Sequence, residues 1–243
     1  MGDMLTGRVA LITGASSGIG AGVARRFAEE GARLVLAARR ADRLEALAGE
    51  LRNVGADVLV RATDVTREDE VIGLFADAEA FGPVDVLVNN AGMAVHKATL
   101  EVTLADWQRV IDLNLTAAFL CAREAMRVMK SRGRGKIINI GSLSAQMPRP
   151  DTVAYATTKF GMEGMTRSFA LDGRPYGVTA AIVHPGQTLS ELASDVIDAQ
   201  PSDTVMAASS VASVIALMAA LPNEVNMLSS TILPIAQPYL GRG

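Results

Sequence analysis

Tyr155 and Lys159 stand four residues apart, and Ser142 lies thirteen residues before the tyrosine. On a helix, an i, i+4 spacing puts both side chains on one face. A free tyrosine, with a pKa of about 10, is a poor base at neutral pH. A lysine ammonium beside it stabilises the phenolate, lowers that pKa and suits Tyr155 to exchange a proton with an alcohol or carbonyl oxygen. Ser142 closes the run KIINIGS, and from a strand end its hydroxyl can donate to the same oxygen. Taken singly, each has a plain explanation, since Tyr-x-x-x-Lys recurs by chance and serines after strands often only cap. Together they describe a proton-transfer group.

A second group of residues suits phosphate. Thr13-Gly14-Ala15-Ser16-Ser17-Gly18-Ile19-Gly20 joins an apolar, strand-like run to a helix-like stretch, where a dinucleotide turn belongs. Gly14 permits the tight turn, Gly18 lets backbone approach a pyrophosphate, and Gly20 lets the helix pack close to the sheet. Ser16, Ser17 and Ile19 complete the turn, whose free N–H groups face an anion at the positive end of the helix. The spacing GxxxGxG is not the commoner GxGxxG, and a glycine turn that binds nothing is the competing reading. The second strand ends in Ala38-Arg39-Arg40. It offers no carboxylate for a ribose 2′-hydroxyl, but two guanidinium forks for a 2′-phosphate. This favours NADP(H) over NAD(H), with Arg39 the stronger choice of the two.

The elements that must position these groups alternate along the chain. Apolar, β-branched runs at 8–13, 33–38, 57–62, 84–89, 136–141 and 177–183 read as strands. Amphipathic stretches with helical spacing separate them, among them 19–30 and 154–171. Thr66 with Asp69, and Thr103 with Asp106, have the spacing of N-terminal capping boxes. Continuous apolar strands between helices predict a parallel sheet covered on both faces, a doubly wound Rossmann-type α/β fold in three layers. The whole chain, 1–243, reads as one domain, with ligands bound beyond the carboxyl ends of the strands.

Composition narrows the rest. A net charge of −3 gives no basic field for nucleic acid, so no nucleic-acid partner is expected. The longest apolar run, 207–221, is short of a membrane span and contains three serines, so no membrane partner is expected either. The N-terminus shows no secretory pattern, and a single cysteine fits a reducing compartment, pointing to a cytoplasmic protein. Two histidines, His96 and His184, without a carboxylate cluster at ligand spacing give no metal site. Cys121 reads as a small buried hydrophobe, and His184 as a packed or solvated histidine beside the pocket.

These motifs together resemble the short-chain dehydrogenase/reductase family over nearly the whole chain. The glycine motif stands at 13–20, the NNAG motif at 89–92, the Asn–Ser–Tyr–Lys tetrad as Asn114, Ser142, Tyr155 and Lys159, and the Pro-Gly segment as Pro185-Gly186. The resemblance implies that Tyr155 is general acid in reduction and base in oxidation. It implies that Lys159 holds the nicotinamide ribose, Ser142 polarises the carbonyl, and Asn114 supports a water behind Lys159. Asp64 and Val65 would meet the adenine, and Asn90, Ala91 and Gly92 would run past the adenosine ribose. The family often places a threonine four residues after the Pro-Gly glycine; here Ser190 occupies that position, with Thr188 as a further contact.

The expected reaction is hydride transfer between NADPH and a ketone or aldehyde, or the reverse from a secondary alcohol. Substrate candidates from loops after strands are Met93, Val95, Leu143, Met147, Gln187 and Leu192, with Ser142 and Tyr155; their mostly apolar character suggests a hydrophobic carbonyl. The segment 187–209 would form a short lid. A 3-oxoacyl-carrier-protein reductase is the alternative enzyme, and a non-catalytic NADP(H) sensor or scaffold the alternative of another class. The resemblance also implies a homodimer or homotetramer built on the helices bearing Asn114 and Tyr155, to which the run 207–221 could add.

Overall fold

The computed structural model describes residues 3–190 and 200–238. Strands form where the apolar runs predict them, within two residues: β1 (Val9–Thr13), β2 (Arg33–Ala38), β3 (Val58–Ala62), β4 (Val84–Asn89), β5 (Gly135–Ile140) and β6 (Val178–Pro185). A further strand, β7 (Ser229–Ile232), comes from the sequence SSTI, whose two serines give no apolar signal. It pairs with β6 from Ile182 to Pro185. All neighbours run parallel, in the order β3-β2-β1-β4-β5-β6-β7.

Helices cover both faces: α1 (Gly18–Glu29), α2 (Ala41–Asn53), α3 (Glu68–Phe81), α4 (Leu104–Ile111), α5 (Ala117–Lys130), α6 (Val153–Gly173) and α7 (Ala208–Ala220). Successive strand residues point to opposite faces, so each strand feeds two cores. Ala10, Ile12, Leu34, Leu36 and Val88 pack with α1, α2 and α7. Leu11, Val35, Leu87 and Ile137 pack with α3, α5 and α6. This is why the strands read as unbroken apolar runs rather than as alternating ones. The apolar run that ends the chain's helical part is itself core: Val211, Ala212, Ile215 and Ala219 of α7 are fully buried with α1.

Local signals have mixed outcomes. Thr103 and Asp106 form the reciprocal capping box of α4. Thr66 and Asp69 do not form one, because the Thr66 hydroxyl turns back to donate to Asp64 and α3 begins only at Glu68. Cys121 is buried in α5, and burial pushes its thiol up to about 12, which keeps it a thiol and inert. Between α4 and α5 the chain makes one π-helical turn, Asp112–Thr116, that carries Asn114. No helix among the described residues is long and apolar enough to cross a membrane.

The sheet order turns from leftward to rightward growth between β1 and β4. Chains leaving these two adjacent strands diverge to opposite faces and open a crevice at their carboxyl ends. Everything chemical below stands at that edge.

Candidate active site

The crevice begins with a latch. The Asn90 side-chain amide donates to the carbonyls of Thr13 and Gly14, both at 3.0 Å. In return the Thr13 hydroxyl accepts from the backbone N–H groups of Asn90 and Ala91, both at 3.1 Å. The ends of β1 and β4 are thereby tied together just where their chains part. The glycine turn packs into this latch without room to spare. A Cβ on Gly20 would lie 2.4 Å from the Gly14 carbonyl oxygen and 2.5 Å from the Asn90 amide nitrogen. Gly14 adopts a φ of +64°, and a Cβ there would lie 2.8 Å from the Ala91 Cα. Gly20 therefore does not face the crevice; it lets α1 close on the turn.

Beyond the turn lies a cleft of about 700 Å³. Gly14, Ser16, Ser17, Gly18, Ile19, Arg39, Arg40, Asp64, Val65, Asn90, Ala91 and Gly92 line one end and its floor. Ser142, Leu143, Met147, Tyr155, Lys159, Pro185, Gly186, Gln187 and Thr188 line the other, and Ser190 lies against the glycine turn, where a Cβ on Gly18 would meet its Cβ at 3.0 Å. Arg40 reaches across the turn, its guanidinium donating to the hydroxyls of Ser16 at 3.0 Å and Ser17 at 3.1 Å. Burial works to raise the Asp64 pKa, but hydrogen bonds from Thr66 and the charges of Arg39 and Arg67 outweigh it and lower it. An elongated cleft with a glycine-lined backbone cradle and paired cations at one end fits a dinucleotide.

At the other end, Tyr155 and Lys159 rise from the first turns of α6, and Ser142 follows β5. Spacing alone predicts that Lys159 lowers the tyrosine's pKa; the structure differs. The Lys159 ammonium donates to the Ile140 carbonyl at 2.7 Å and stands 5.5 Å from the centre of the Tyr155 ring. Burial raises the Tyr155 pKa, opposed by a hydrogen bond with Ser142 and by the Arg149 charge. Burial also pulls Lys159 down to about 8. Tyr155 is thus held as the neutral phenol.

Other predicted residues do not reach the cleft. Asn114 is fully buried. Its amide donates to the Met93 carbonyl at 2.9 Å and to the Thr158 hydroxyl at 3.0 Å, while its oxygen accepts from the Met93 N–H at 2.8 Å. This double clamp sets the phase of the extended loop after Gly92. Ala94 and His96, rather than Met93 and Val95, consequently line the cleft. Leu192 lies outside the described residues.

Several cleft residues were not signalled by the sequence. Gln237 arrives from beyond β7, and its side-chain oxygen accepts from the Gln187 N–H at 2.8 Å. A strand without an apolar signal hides the tail that follows it. Arg149 lines the substrate end from the loop between β5 and α6, where the only signal is a cation inside MPRPD. His184 is packed rather than solvated, fully buried beneath Ser142. Its Nδ1 lies 3.0 Å from the Ser142 carbonyl oxygen and its Nε2 2.6 Å from a Glu163 carboxylate oxygen. A Cβ on Gly141 would sit 2.6 Å from that Nδ1, so the glycine makes room for the ring.

A family model described as short chain dehydrogenase matches residues 8–201. The chain belongs to the short-chain dehydrogenase family. It is 42% identical over 188 residues to cis-4-hydroxycyclohexanecarboxylate dehydrogenase of Sinomonas cyclohexanicum, covering 76% of this chain and 75% of that one. It is 36% identical over 206 residues to an NADP-dependent (R)-specific alcohol dehydrogenase of Lentilactobacillus kefiri, covering 82% and 81%. The crystal structure of a putative gluconate dehydrogenase from Agrobacterium tumefaciens superposes with a TM-score of 0.89 at 36% identity, over 96% of this chain and 98% of that one. Among solved relatives, a metagenomic short-chain oxidoreductase and a serine dehydrogenase are complexed with NADP, and a 3-ketoacyl-(acyl-carrier-protein) reductase from Brucella melitensis with NADH. Membership of this family makes the protein an oxidoreductase of alcohol and carbonyl groups that uses a nicotinamide cofactor.

The latch makes a sharp prediction. Gly20→Ala drives a Cβ into the Gly14 carbonyl and the Asn90 amide, and is expected to cost about 1–3 kcal/mol of stability. Gly73 lies inside α3, where a Cβ would meet nothing within 4 Å. Gly73→Ala is therefore expected to stabilise by about 0.5–1 kcal/mol through helix propensity. Urea denaturation of the two variants checks both signs, and a neutral Gly20→Ala would refute the tight packing described above.

Proposed function

We propose that this short-chain dehydrogenase is NADP(H)-dependent, with Tyr155 exchanging the proton and Ser142 orienting the substrate oxygen. One observation carries the reading: Ser142, Tyr155 and Lys159 meet at one end of the same cleft whose other end holds the glycine turn, Arg39 and Arg40. A bound nicotinamide supplies or accepts the hydride at the carbinol carbon. In reduction, the Tyr155 hydroxyl gives its proton to the carbonyl oxygen while the Ser142 hydroxyl donates to the same oxygen. In oxidation, the phenolate takes the alcohol proton. Lys159, anchored on the Ile140 carbonyl, places a cation beside the reacting groups and would hold the ribose. Asn114 acts from beneath, through its hold on Met93 and Thr158.

Preference for NADP(H) rests on Arg39 and Arg40 and on the lack of a carboxylate at Ala38. The NADP-dependent relative supports it. Two relatives named for hydroxy acids, and one named for alcohols, agree that the reacting centre is a carbinol. The expected lid, 187–209, falls partly outside the described residues, which resume at 200. Its two ends are tied by backbone bonds, from the Met206 N–H to the Gln187 carbonyl and from the Leu189 N–H to the Met206 carbonyl, both at 2.9 Å. A homodimer or homotetramer formed on α5 and α6 is supported by Phe119 and Phe160, which stand exposed on those helices.

Three measurements test this reading. Tyr155→Phe is expected to lose at least about a hundredfold in carbonyl-dependent NADPH oxidation, the lower range for a general acid. Equal turnover by both proteins would remove Tyr155 from the mechanism, and tight NADPH binding without native turnover would favour a sensor. Arg39→Ala is expected to weaken NADPH by about tenfold or more in a fluorescence titration while leaving NADH nearly unchanged. Parallel losses for both cofactors would contradict the 2′-phosphate assignment. The pH profile follows from the two shifts. A raised Tyr155 pKa keeps the phenol protonated to higher pH, so oxidation, which needs phenolate, speeds up as pH rises. Reduction, which needs the phenol and the ammonium, declines above about 8 as Lys159 loses its proton. An oxidation rate that peaks below neutrality would exclude Tyr155 as the base.

A further inference from the structure

Charge is distributed unevenly along the cleft. Among the described residues its only lining carboxylate is Asp64, at the adenosine end, where Thr66 and Arg39 hold it. The substrate end has none. It carries instead Arg149 and His96, with Lys159 deeper in. The Arg149 guanidinium makes no hydrogen bond or ion pair among the described residues, and its charge is felt at the Tyr155 phenol.

The loop is built to hold this arginine in place. Pro148 and Pro150 flank it and fix φ on both sides. The Thr152 hydroxyl donates to the Arg149 carbonyl at 2.6 Å. Asp151 adopts a left-handed φ of 61°, an uncommon conformation for a residue with a Cβ, and its carbonyl accepts from the Lys97 N–H at 3.0 Å. A loop pinned at three successive residues, with one of them in a disfavoured conformation, gives Arg149 a fixed base at the cleft mouth.

We propose that the cleft takes an anionic substrate, a hydroxy or oxo carboxylate whose carboxylate pairs with Arg149 while its carbinol or carbonyl oxygen meets Ser142 and Tyr155. This deepens the reaction assigned above and rests on it. Arginine's planar fork matches a carboxylate with two parallel hydrogen bonds, which fixes orientation as well as adding attraction. The end of the cleft without carboxylates presents nothing that repels such a group. The apolar walls at Leu143 and Met147 then face the carbon skeleton between the two polar ends. The expectation from the sequence, a plainly hydrophobic carbonyl compound, is thereby refined to one with an acidic terminus.

The test uses one oxo acid, its methyl ester and its primary amide, assayed with the native protein, Arg149→Met and Arg149→Lys. The native protein is expected to favour the acid over the ester by about tenfold or more in kcat/KM, as for a charge-assisted pair. Arg149→Met should bring that ratio close to one, mainly through KM, because the contact is the same in ground and transition states. Arg149→Lys should restore part of it, keeping the charge but not the fork. Added salt should shrink the native preference. Tyr155-dependent turnover of the ester with no preference for the acid, or a preference that survives Arg149→Met, overturns the carboxylate inference and leaves the reaction assignment standing. No turnover of any of the three, with NADPH bound, overturns both.

Discussion

The site depends first on the reciprocal hydrogen bonds between Asn90 and Thr13. They close the gap between β1 and β4 at the one place where the sheet's winding forces their chains apart. A crevice at such a point is a consequence of topology, but its width is not. The Asn90 amide spans the carbonyls of Thr13 and Gly14, which fixes the glycine turn against the end of β4. Because the amide occupies that space, Gly14 and Gly20 can carry no side chain. The N–H groups at the start of α1 are then aimed into the cleft rather than satisfied by neighbouring side chains; Ser17, the residue preceding α1, makes no cap hydrogen bond. One side-chain amide thus serves both the packing of α1 and the opening of a phosphate cradle.

A second polar arrangement holds the catalytic end. Asn89 of β4 and Asn139 of β5 lie opposite each other in the parallel register, and the Asn89 amide donates to the Asn139 oxygen at 3.0 Å. The Asn89 amide also donates to the Ala118 carbonyl of α5, and the Asn139 amide donates to Thr166 of α6 at 2.8 Å. Both asparagines are buried, where an unpaired amide is costly, and the bonds their NH2 groups make to Ala118 and Thr166 tie α5 and α6 to the sheet. Higher up, Glu163 of α6 and His184 of β6 hold the Ser142 peptide. Ser142 and Tyr155 come from different elements, and these buried contacts are what set their separation. Groups that never face the cleft therefore fix the geometry of those that do.

Much of this was legible in the sequence, for definite reasons. Strands buried on both faces write themselves as apolar runs, and the six runs located six strands. β7 escaped because Ser229, Ser230 and Thr231 are polar and the strand lies at the sheet edge, where one side needs no partner. Its loss concealed Gln237, which only the fold brings to Gln187. Residues tied to motifs by spacing, such as Tyr155 and Lys159, could be placed on one face of a helix from the sequence. Their electrostatics could not, since burial and the Ile140 carbonyl are tertiary facts. The exchange of Met93 and Val95 for Ala94 and His96 has the same origin. In an extended loop a one-residue shift inverts which side chains face a ligand, and that phase is fixed by Asn114 from another part of the chain.

The two ends of the cleft differ in how they are built, and this separates chemistry from selectivity. At the cofactor end the walls are strand ends and the first turn of α1, whose close packing leaves no room for side chains at Gly14 and Gly20. At the substrate end the walls are the loop after β4, the turn at 148–150, the segment after β6 and the tail after β7. These four segments are loops and a tail held in place by hydrogen bonds at Met93, Arg149, Asp151 and Gln187, so the side chains they turn to the cleft can differ without disturbing the sheet. The reaction is accordingly common to the family, while choice of substrate is local to this chain. The buried phenol of Tyr155 connects the two ends. A group held protonated by the low dielectric around it is ready to donate, and a cation placed at the cleft mouth by a rigid loop shifts that readiness from outside. An anionic substrate paired with that cation would neutralise its influence on Tyr155 and favour the neutral phenol further, so the substrate's own carboxylate would favour the protonation state that reduction requires.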